Sequence, residues 1–296
     1  MSKRYLTVLA GSPRGGELTW QSLYINVLNH LNSDLAICTG NKWLNNQSFI
    51  KRAKYLWNFE EPEDWFEYYR ENFQGNWEEY FNLGKSTGLY NSGSIHFALK
   101  DIILRNHSKV FKEYDTIIYT RFDQFYIDKH PNLDSNKIWI PEGEDYYGIC
   151  DRHTVLPSEY IEKYLDICSF IDSPSSLKNT PEHLNCEAAY MHQLESNNLI
   201  KLVSRYKRNQ FTSAIKNDST NWRVPEYKVY FYSGLEIKYP DEFIAAVKNY
   251  KKLNGIIKSL IHLRAIYINY VYLSLRRGIG NFKNTILPQK NNNFKV

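Results

Sequence analysis

The chain has 296 residues, 43% of them hydrophobic and 16% aromatic, with 24 Tyr and 7 Trp, which fits one large soluble α/β domain or two small ones. Lys and Arg number 37 against 32 Asp and Glu, and this mild excess of +5 suits anionic ligands but falls short of a nucleic-acid-binding signature. Four scattered cysteines with no CxxC pair exclude a zinc-ribbon or disulfide-framework class, and without a run of roughly 18 apolar residues to span a membrane, a cytoplasmic protein is expected.

Met1 to Ala10 is too short and too soon interrupted for a signal peptide. Tyr5 to Ala10 is instead an apolar run that predicts a strand. It is followed by Gly11-Ser-Pro-Arg-Gly-Gly16 and by residues 17–32, where Trp20, Leu23, Tyr24, Val27, Leu28 and Leu31 keep helical spacing. Strand, glycine-rich turn and helix open a nucleotide-binding α/β unit. Gly11 and its neighbours allow close backbone approach, a helix N-terminus favours anions, and Arg14 adds a guanidinium that binds phosphate bidentately. The loop lacks a full GxGxxG or Walker pattern, so a tight turn with an exposed Arg fits the same residues. Asp34 to Thr39 predicts a second strand.

Residues 51–83 are dense in Trp, Tyr, Phe and Glu and read as one or two helices. Trp57, Trp65, Phe66, Tyr69 and Trp77 either pack the core there or flank a site. Asn91-Ser-Gly-Ser94 opens a helix over 95–105 with Ile95, Leu99, Ile102 and Ile103 on its apolar face. Ser92, Gly93 and Ser94 make either an anion site or an ordinary N-cap.

Segment 114–126 is the most informative. Thr116 to Tyr119 is an apolar strand that delivers Arg121 and Asp123 to its C-terminal end, where open α/β sheets bind ligands. A cation and a carboxylate two residues apart suit a diphosphate and its metal ion, with Asp123 as metal ligand; a surface ion pair is the plainer alternative. A second strand, Lys137 to Pro141, leads into Glu142 to His153, rich in carboxylates and basic residues. Beyond it are expected an N-capped helix over 157–166, a Ser/Pro-rich loop over 172–181, a helix over 181–196 bearing Glu182, Glu187 and His192, and a strand over 199–204. Residues 256–279 read as an Ile/Leu/Tyr-rich helix with Lys258, His262, Arg264, Arg276 and Arg277. That helix either packs against the domain or makes a peripheral membrane contact.

In order and spacing, from about residue 5 to 205, these motifs resemble a family of virus and bacterial glycosyltransferases of the capsular-polysaccharide type. The resemblance rests on Leu9-Ala-Gly-Ser-Pro-Arg-Gly-Gly-Glu17 with Thr19-Trp20, Ser92-Gly-Ser-Ile95, and Tyr114-Asp115 leading to Thr120-Arg-Phe-Asp123. It continues in Ile138-Trp-Ile-Pro141 with Gly143-Glu-Asp-Tyr146, Gly148-Ile-Cys-Asp-Arg-His153 and Asn185-Cys-Glu187. It implies a GT-A-like (Rossmann-like) α/β fold, with a central, mostly parallel sheet flanked by helices over residues 1–240 and a C-terminal helical extension with a polar tail over 241–296. It also implies a nucleotide-sugar donor held at strand ends, often with a divalent metal on a DxD carboxylate pair. Here Gln124 and Phe125 follow Asp123, so the second carboxylate is missing. Asp128 is the nearest replacement, and Arg121 stands to take part of the metal's role.

Sugar transfer from a nucleoside diphosphate needs positive charge beside the leaving group. Arg121, Arg14 and an Asp123-bound Mn2+ or Mg2+ are the candidates. In an inverting reaction the hydroxyl of the oligosaccharide or glycan acceptor loses its proton to a base. Asp151 is the first choice and Glu187 the second, with Glu144 and Asp145 behind them. Tyr146, Tyr147 and Trp139 offer platforms on which sugars stack. Arg152 and His153 complete the expected substrate-binding set, His153 and His192 being either metal ligands or structural hydrogen-bonding residues. A non-catalytic glycan- or nucleotide-binding protein on the same fold is the rival reading.

Overall fold

The computed structural model describes residues 3–45, 47–134, 136–215, 229–231, 235–267, 271 and 275. β1 (Tyr5–Ala10) is buried along its whole length and runs through the glycine-rich loop into α1 (Gly16–Leu23). A π-helical turn over Tyr24–Leu28 carries that helix into α2 (Asn29–Leu31), and left-handed Asn32 (φ 51) turns the chain into β2 (Ser33–Gly40). After α3 (Ser48–Arg52) comes β3 (Tyr55–Phe59), inside the stretch expected to be helical. Tyr55, Trp57 and Phe59 turn inward with period two, a strand signal masked in the sequence by the apolar Leu56 between them.

α4 (Trp65–Asn72) is capped by the Asp64 carboxylate, which accepts from the Phe66 N–H, and is followed by α5 (Trp77–Leu83). Phe66, Tyr69 and Trp77 stack on one another, and Trp57 lies flat on His107 at 4.8 Å, so these rings are core packing. A second π-helical turn, Leu89–Gly93, leads into α6 (Ser94–His107). The buried face of α6 includes Phe97, Ala98, Leu99, Ile102 and Ile103, whereas Ile95, expected inside, is exposed.

Four strands follow: β4 (Thr116–Thr120), β5 (Gln124–Tyr126), β6 (Ile138–Pro141) and β7 (His153–Pro157). Then come α7 (Ile161–Leu165), α8 (Ile167–Asp172) and α9 (Cys186–Ser196). Pro157 thus ends a strand, Ser158–Tyr160 is a 3-10 turn, and α7 starts without the side-chain cap the sequence suggested. α9 begins later than residue 181, at the point where the Asn185 side chain accepts from the Ala188 N–H. Ile200–Leu202 is a 3-10 turn, so the strand expected over 199–204 is displaced to β8 (Val203–Tyr206). The remaining elements are β9 (Gln210–Ile215), β10 (Val229–Phe231), β11 (Leu235–Ile237), α10 (Pro240–Asn249) and α11 (Gly255–Ile266). Much of the helix expected over 256–279 lies outside the described residues.

Seven strands form one sheet in the order β3-β2-β1-β4-β7-β6-β8, and β7 alone runs against the others. The result is a mostly parallel sheet flanked by helices, compatible with a Rossmann-like fold. Both faces are covered, which is why β1 and β4 are buried at every residue. Alternate residues of β1 divide the core: Leu6, Val8 and Ala10 pack with Leu99 and Ile103 of α6, while Tyr5 and Leu9 pack with Trp20, Leu23 and Val27. A smaller antiparallel sheet has the order β10-β11-β9-β5. Phe243, Ala246 and Val247 of α10 join Phe211 and Ile237 in a core beside it, and Glu242 is fully buried. The boundary expected at 240 therefore falls inside the folded body. Because β2 and β3 lie on one side of β1 and β4 on the other, the strand order reverses there and opens a crevice beyond their C-terminal ends.

Candidate functional site

The loop after β1 meets the end of β4 in that crevice. Gly15 sits at φ 91, and a Cβ there would lie 3.0 Å from the Phe122 carbonyl oxygen, so only glycine lets the two strand ends approach. The loop is tied at both flanks. The Gly11 N–H donates to the Cys38 carbonyl at 3.0 Å, and the Trp20 indole N–H donates to the Arg14 carbonyl at 2.9 Å.

Arg121 and Asp123 form a bidentate pair: Nε donates to Oδ1 at 3.1 Å and Nη2 to Oδ2 at 2.9 Å. Asp123 is 1% exposed. Burial by itself would raise its carboxyl, but Arg121, Lys238 and Arg14 outweigh burial and hold it below the usual carboxylate range. These residues do not fit a divalent metal ion. A metal would have to displace a bidentate guanidinium from both Asp123 oxygens and then sit among further cations. Asp128, the nearest alternative, accepts from the Lys129 N–H and faces Lys252 Nζ at 3.7 Å. Among the described residues, no group of three His, Cys, Asp or Glu is arranged to hold a metal.

Beside the pair lies a small cleft lined by Ala10, His96, Phe97, Lys100, Tyr119, Arg121, Asp151 and Tyr190. His96 and Lys100, four apart on α6, were not found from the sequence. They share one helical stripe, a signal that the apolar residues between them mask in the sequence. Burial, with Arg121 beside it, holds the His96 imidazole down at about 4, so it is neutral at pH 7. The Lys100 ammonium faces the rings of Tyr119, Tyr164 and Tyr190, at 5.6, 4.2 and 4.6 Å from their centroids. Burial lowers it to about 8 against the pull of Asp151.

Arg152, 2% exposed, organises the other wall. Its Nη1 donates to Glu187 Oε1 at 2.7 Å and lies 3.9 Å from Asp151 Oδ1. Its Nε donates to Glu242 Oε1 at 3.1 Å, and its Nη2 to the Glu144 carbonyl at 3.0 Å. Glu242 also accepts from Arg208 Nη1 at 2.9 Å and from the Thr212 N–H at 2.7 Å. Asp151 and Glu187 are thus brought together on one guanidinium, and their environments part them. Burial and the Asp151 charge push Glu187 up to about 7. Asp151, although burial opposes its charge, is held below the usual range by Arg152, His96, Arg121 and Lys100. At neutral pH Asp151 is ionised and Glu187 is about half protonated.

The loop from Gly143 to Gly148 reaches across to α9. Glu144, Tyr146 and Tyr147 all have positive φ (58, 39 and 69), which is backbone strain concentrated at a site. Asp145 is an anchor for it, accepting from the Cys150 N–H at 3.0 Å and from Arg205 Nη1 at 2.9 Å. Tyr146 and Tyr147 are exposed, 44% and 72%, as platforms would be. Burial raises the Glu144 carboxyl, and its backbone carbonyl is held by Arg152. Gly148 packs so tightly on α9 that a Cβ would come 2.1 Å from the Glu187 carbonyl oxygen.

Other expected residues are not brought to the cleft. His153 is fully buried in a knot with Thr120, Tyr126 and His130, its Nε2 3.1 Å from the His130 Nε2. His192 faces the Lys178 carbonyl at 3.1 Å. Trp139 donates its indole N–H to the Asp134 carbonyl at 2.9 Å. The Ser92 and Ser94 hydroxyls donate to the Gly88 and Asn91 carbonyls, and the π-helical turn before them means Ser92–Ser94 is not the open N-terminus of a helix. The sequence also gave no hint of Lys238, Tyr239 and Glu242. Lys238 is lowered to about 8 by burial and by Arg121, and the Arg152 guanidinium lies 4.9 Å from the centre of the Tyr239 ring. No protein-family model matches the chain, and no curated protein matches it.

Proposed function

We propose that this protein is a glycosyltransferase of GT-A type that moves a sugar from a nucleotide-sugar donor to an oligosaccharide or glycan acceptor. One observation carries the reading. At the β1 and β4 strand ends a group of half-buried cations, Arg121 with Arg14 and Lys238, stands next to two carboxylates, Asp151 and Glu187, that flank one Arg152 guanidinium. The motif resemblance to capsular-polysaccharide-type glycosyltransferases supports the same reading.

In the proposed reaction the acceptor oxygen attacks the anomeric carbon as the bond to the diphosphate breaks. The electron pair leaves with the diphosphate, whose growing charge is met by Arg121, Arg14 and Lys238. The acceptor proton passes to Asp151, which lines the cleft and is ionised. Glu187, on the same Arg152 guanidinium, stands beside that base. Tyr146 and Tyr147 are placed to stack on a sugar ring. No divalent metal enters this scheme.

The test is donor turnover across UDP-, GDP-, CMP- and dTDP-sugars in EDTA, with thermal shift as the binding readout. Turnover that survives EDTA and is lost in Asp151→Ala supports the scheme. Binding without turnover would assign the protein to a non-catalytic binding class, and neither binding nor turnover with any donor would end the reading.

A further inference from the structure

We propose that α11 and the rim beside it form a docking surface for an anionic lipid bilayer. Ile256, Leu260 and Leu263 recur at helical spacing on α11, and the spacing continues in the sequence through Tyr267, Val271 and Leu275. All six are exposed, from 43% to 71%, where core residues of this type are normally buried. Another part of the helix is anchored: Ile261 packs at the edge of the core formed by Phe211, Phe243 and Val247. Between α1 and α11 runs an apolar groove whose lining includes Leu18, Ile25, Leu253 and Ile261. Leu18 and Ile25 are themselves exposed, so the apolar surface extends from α11 onto the folded body.

Charge decides what this surface fits. Ten Lys and Arg and no Asp or Glu follow Glu242, although the whole chain carries an excess of only five. The first 242 residues are therefore net negative, and all of the positive excess belongs to the segment that bears the apolar stripe. Lys248, Lys251 and Lys252 are exposed beside it. An apolar stripe with basic flanks and no acidic residue is the pattern of a helix lying in the headgroup region of an anionic membrane. Among the described residues, no helix is long and apolar enough to cross a membrane, and the contact we propose is with one leaflet. A second copy docked on this face would set Lys248, Lys251 and Lys252 against their own counterparts, which disfavours self-association.

Flotation of the full chain tests this with vesicles of phosphatidylcholine alone and of phosphatidylcholine mixed with phosphatidylglycerol. The chain should float with the anionic vesicles only and release as salt rises. Leu260→Glu with Leu263→Glu should weaken binding by about tenfold or more while leaving the melting temperature unchanged, since both side chains are exposed. Lys251→Ala and Lys252→Ala should each weaken it by about fivefold. No flotation, equal flotation with neutral vesicles, or an unaffected double Glu variant would overturn the proposal. So would a solution dimer that the double Glu variant dissociates, because a second copy would then cover the stripe.

Discussion

Asp151→Asn tests the carboxylate pair without relying on turnover. Arg152 Nη1 lies 2.7 Å from Glu187 Oε1 and 3.9 Å from Asp151 Oδ1, which bounds the separation of those two oxygens at about 7 Å by simple geometry. At that distance and an effective dielectric constant of about 20, two like charges repel by about 2 kcal/mol, or about 1.5 pH units on one carboxyl. Asparagine keeps the shape and removes the charge. In a protein labelled with 13C at the Glu carboxyls, with Glu187→Gln identifying the signal, the wild-type Glu187 resonance should titrate near 7. In Asp151→Asn its midpoint should fall by about 1.5 pH units, since only burial then holds it up. A midpoint that stays in place would show that the two carboxyls are not coupled. The coupling, and with it the proposed division of roles, would then be refuted.

Further outcomes follow from the same geometry. Glu242→Ala leaves the buried Arg152 and Arg208 guanidinia without their common carboxylate, and should cost about 3–5 kcal/mol in urea denaturation, whereas Asp241→Ala on the exposed side should stay within about 0.5 kcal/mol. Gly148→Ala drives a Cβ into the Glu187 carbonyl and should cost about 1–3 kcal/mol, read from the denaturation midpoint. Glu187 holds its proton more tightly folded (about 7) than unfolded (4.5). The stability from this proton is fully present below pH 4.5 and is lost as pH rises through 7. Thermal melts should therefore show Glu187→Gln gaining about 3 kcal/mol on wild type between pH 5 and pH 8. Lys100 and Lys238 both sit at about 8. A bound nucleoside diphosphate favours their charged forms, so calorimetry in buffers of different ionisation enthalpy should show proton uptake near pH 8 and none at pH 6.

The sequence made the first half of the fold legible because it is built from strong local signals. Tyr5–Ala10 and Thr116–Tyr119 are unbroken apolar runs, and the glycine loop between β1 and α1 is punctuation that needs no tertiary context. The failures have physical causes. β7 begins at His153 and ends at Pro157, and each of those residues argued for something other than a strand. Three of the four strands in the second sheet have only three residues, too short to show a period. Arg121 and Asp123 were legible because a strand end placed them. His96, Lys100, Lys238 and Glu242 were not, because their importance comes from burial beside charges distant in sequence, and no local pattern encodes that.

Arg121 and Asp123 also show how one dipeptide spacing admits opposite chemistries. Read as a fragment of DxD, Asp123 is a metal ligand and Arg121 shares the diphosphate with that metal. In the folded chain the carboxylate spends both oxygens on the guanidinium, and the buried charge it keeps is what stabilises the guanidinium at the strand end. The cost of burying Arg121 is offset by Asp123, and the cost of burying Asp123 by Arg121, Lys238 and Arg14. With His96 neutral and Glu187 about half protonated at pH 7, charges that would otherwise blur the sign of the cleft are reduced. Lys238 remains under repulsion from Arg121, Arg152 and Arg14, which lowers its own affinity for a proton. An arriving diphosphate relieves that repulsion, as a divalent cation would relieve repulsion between two carboxylates. Under the proposed function, the countercharge for the leaving group is therefore carried by the protein's own side chains before any ligand binds.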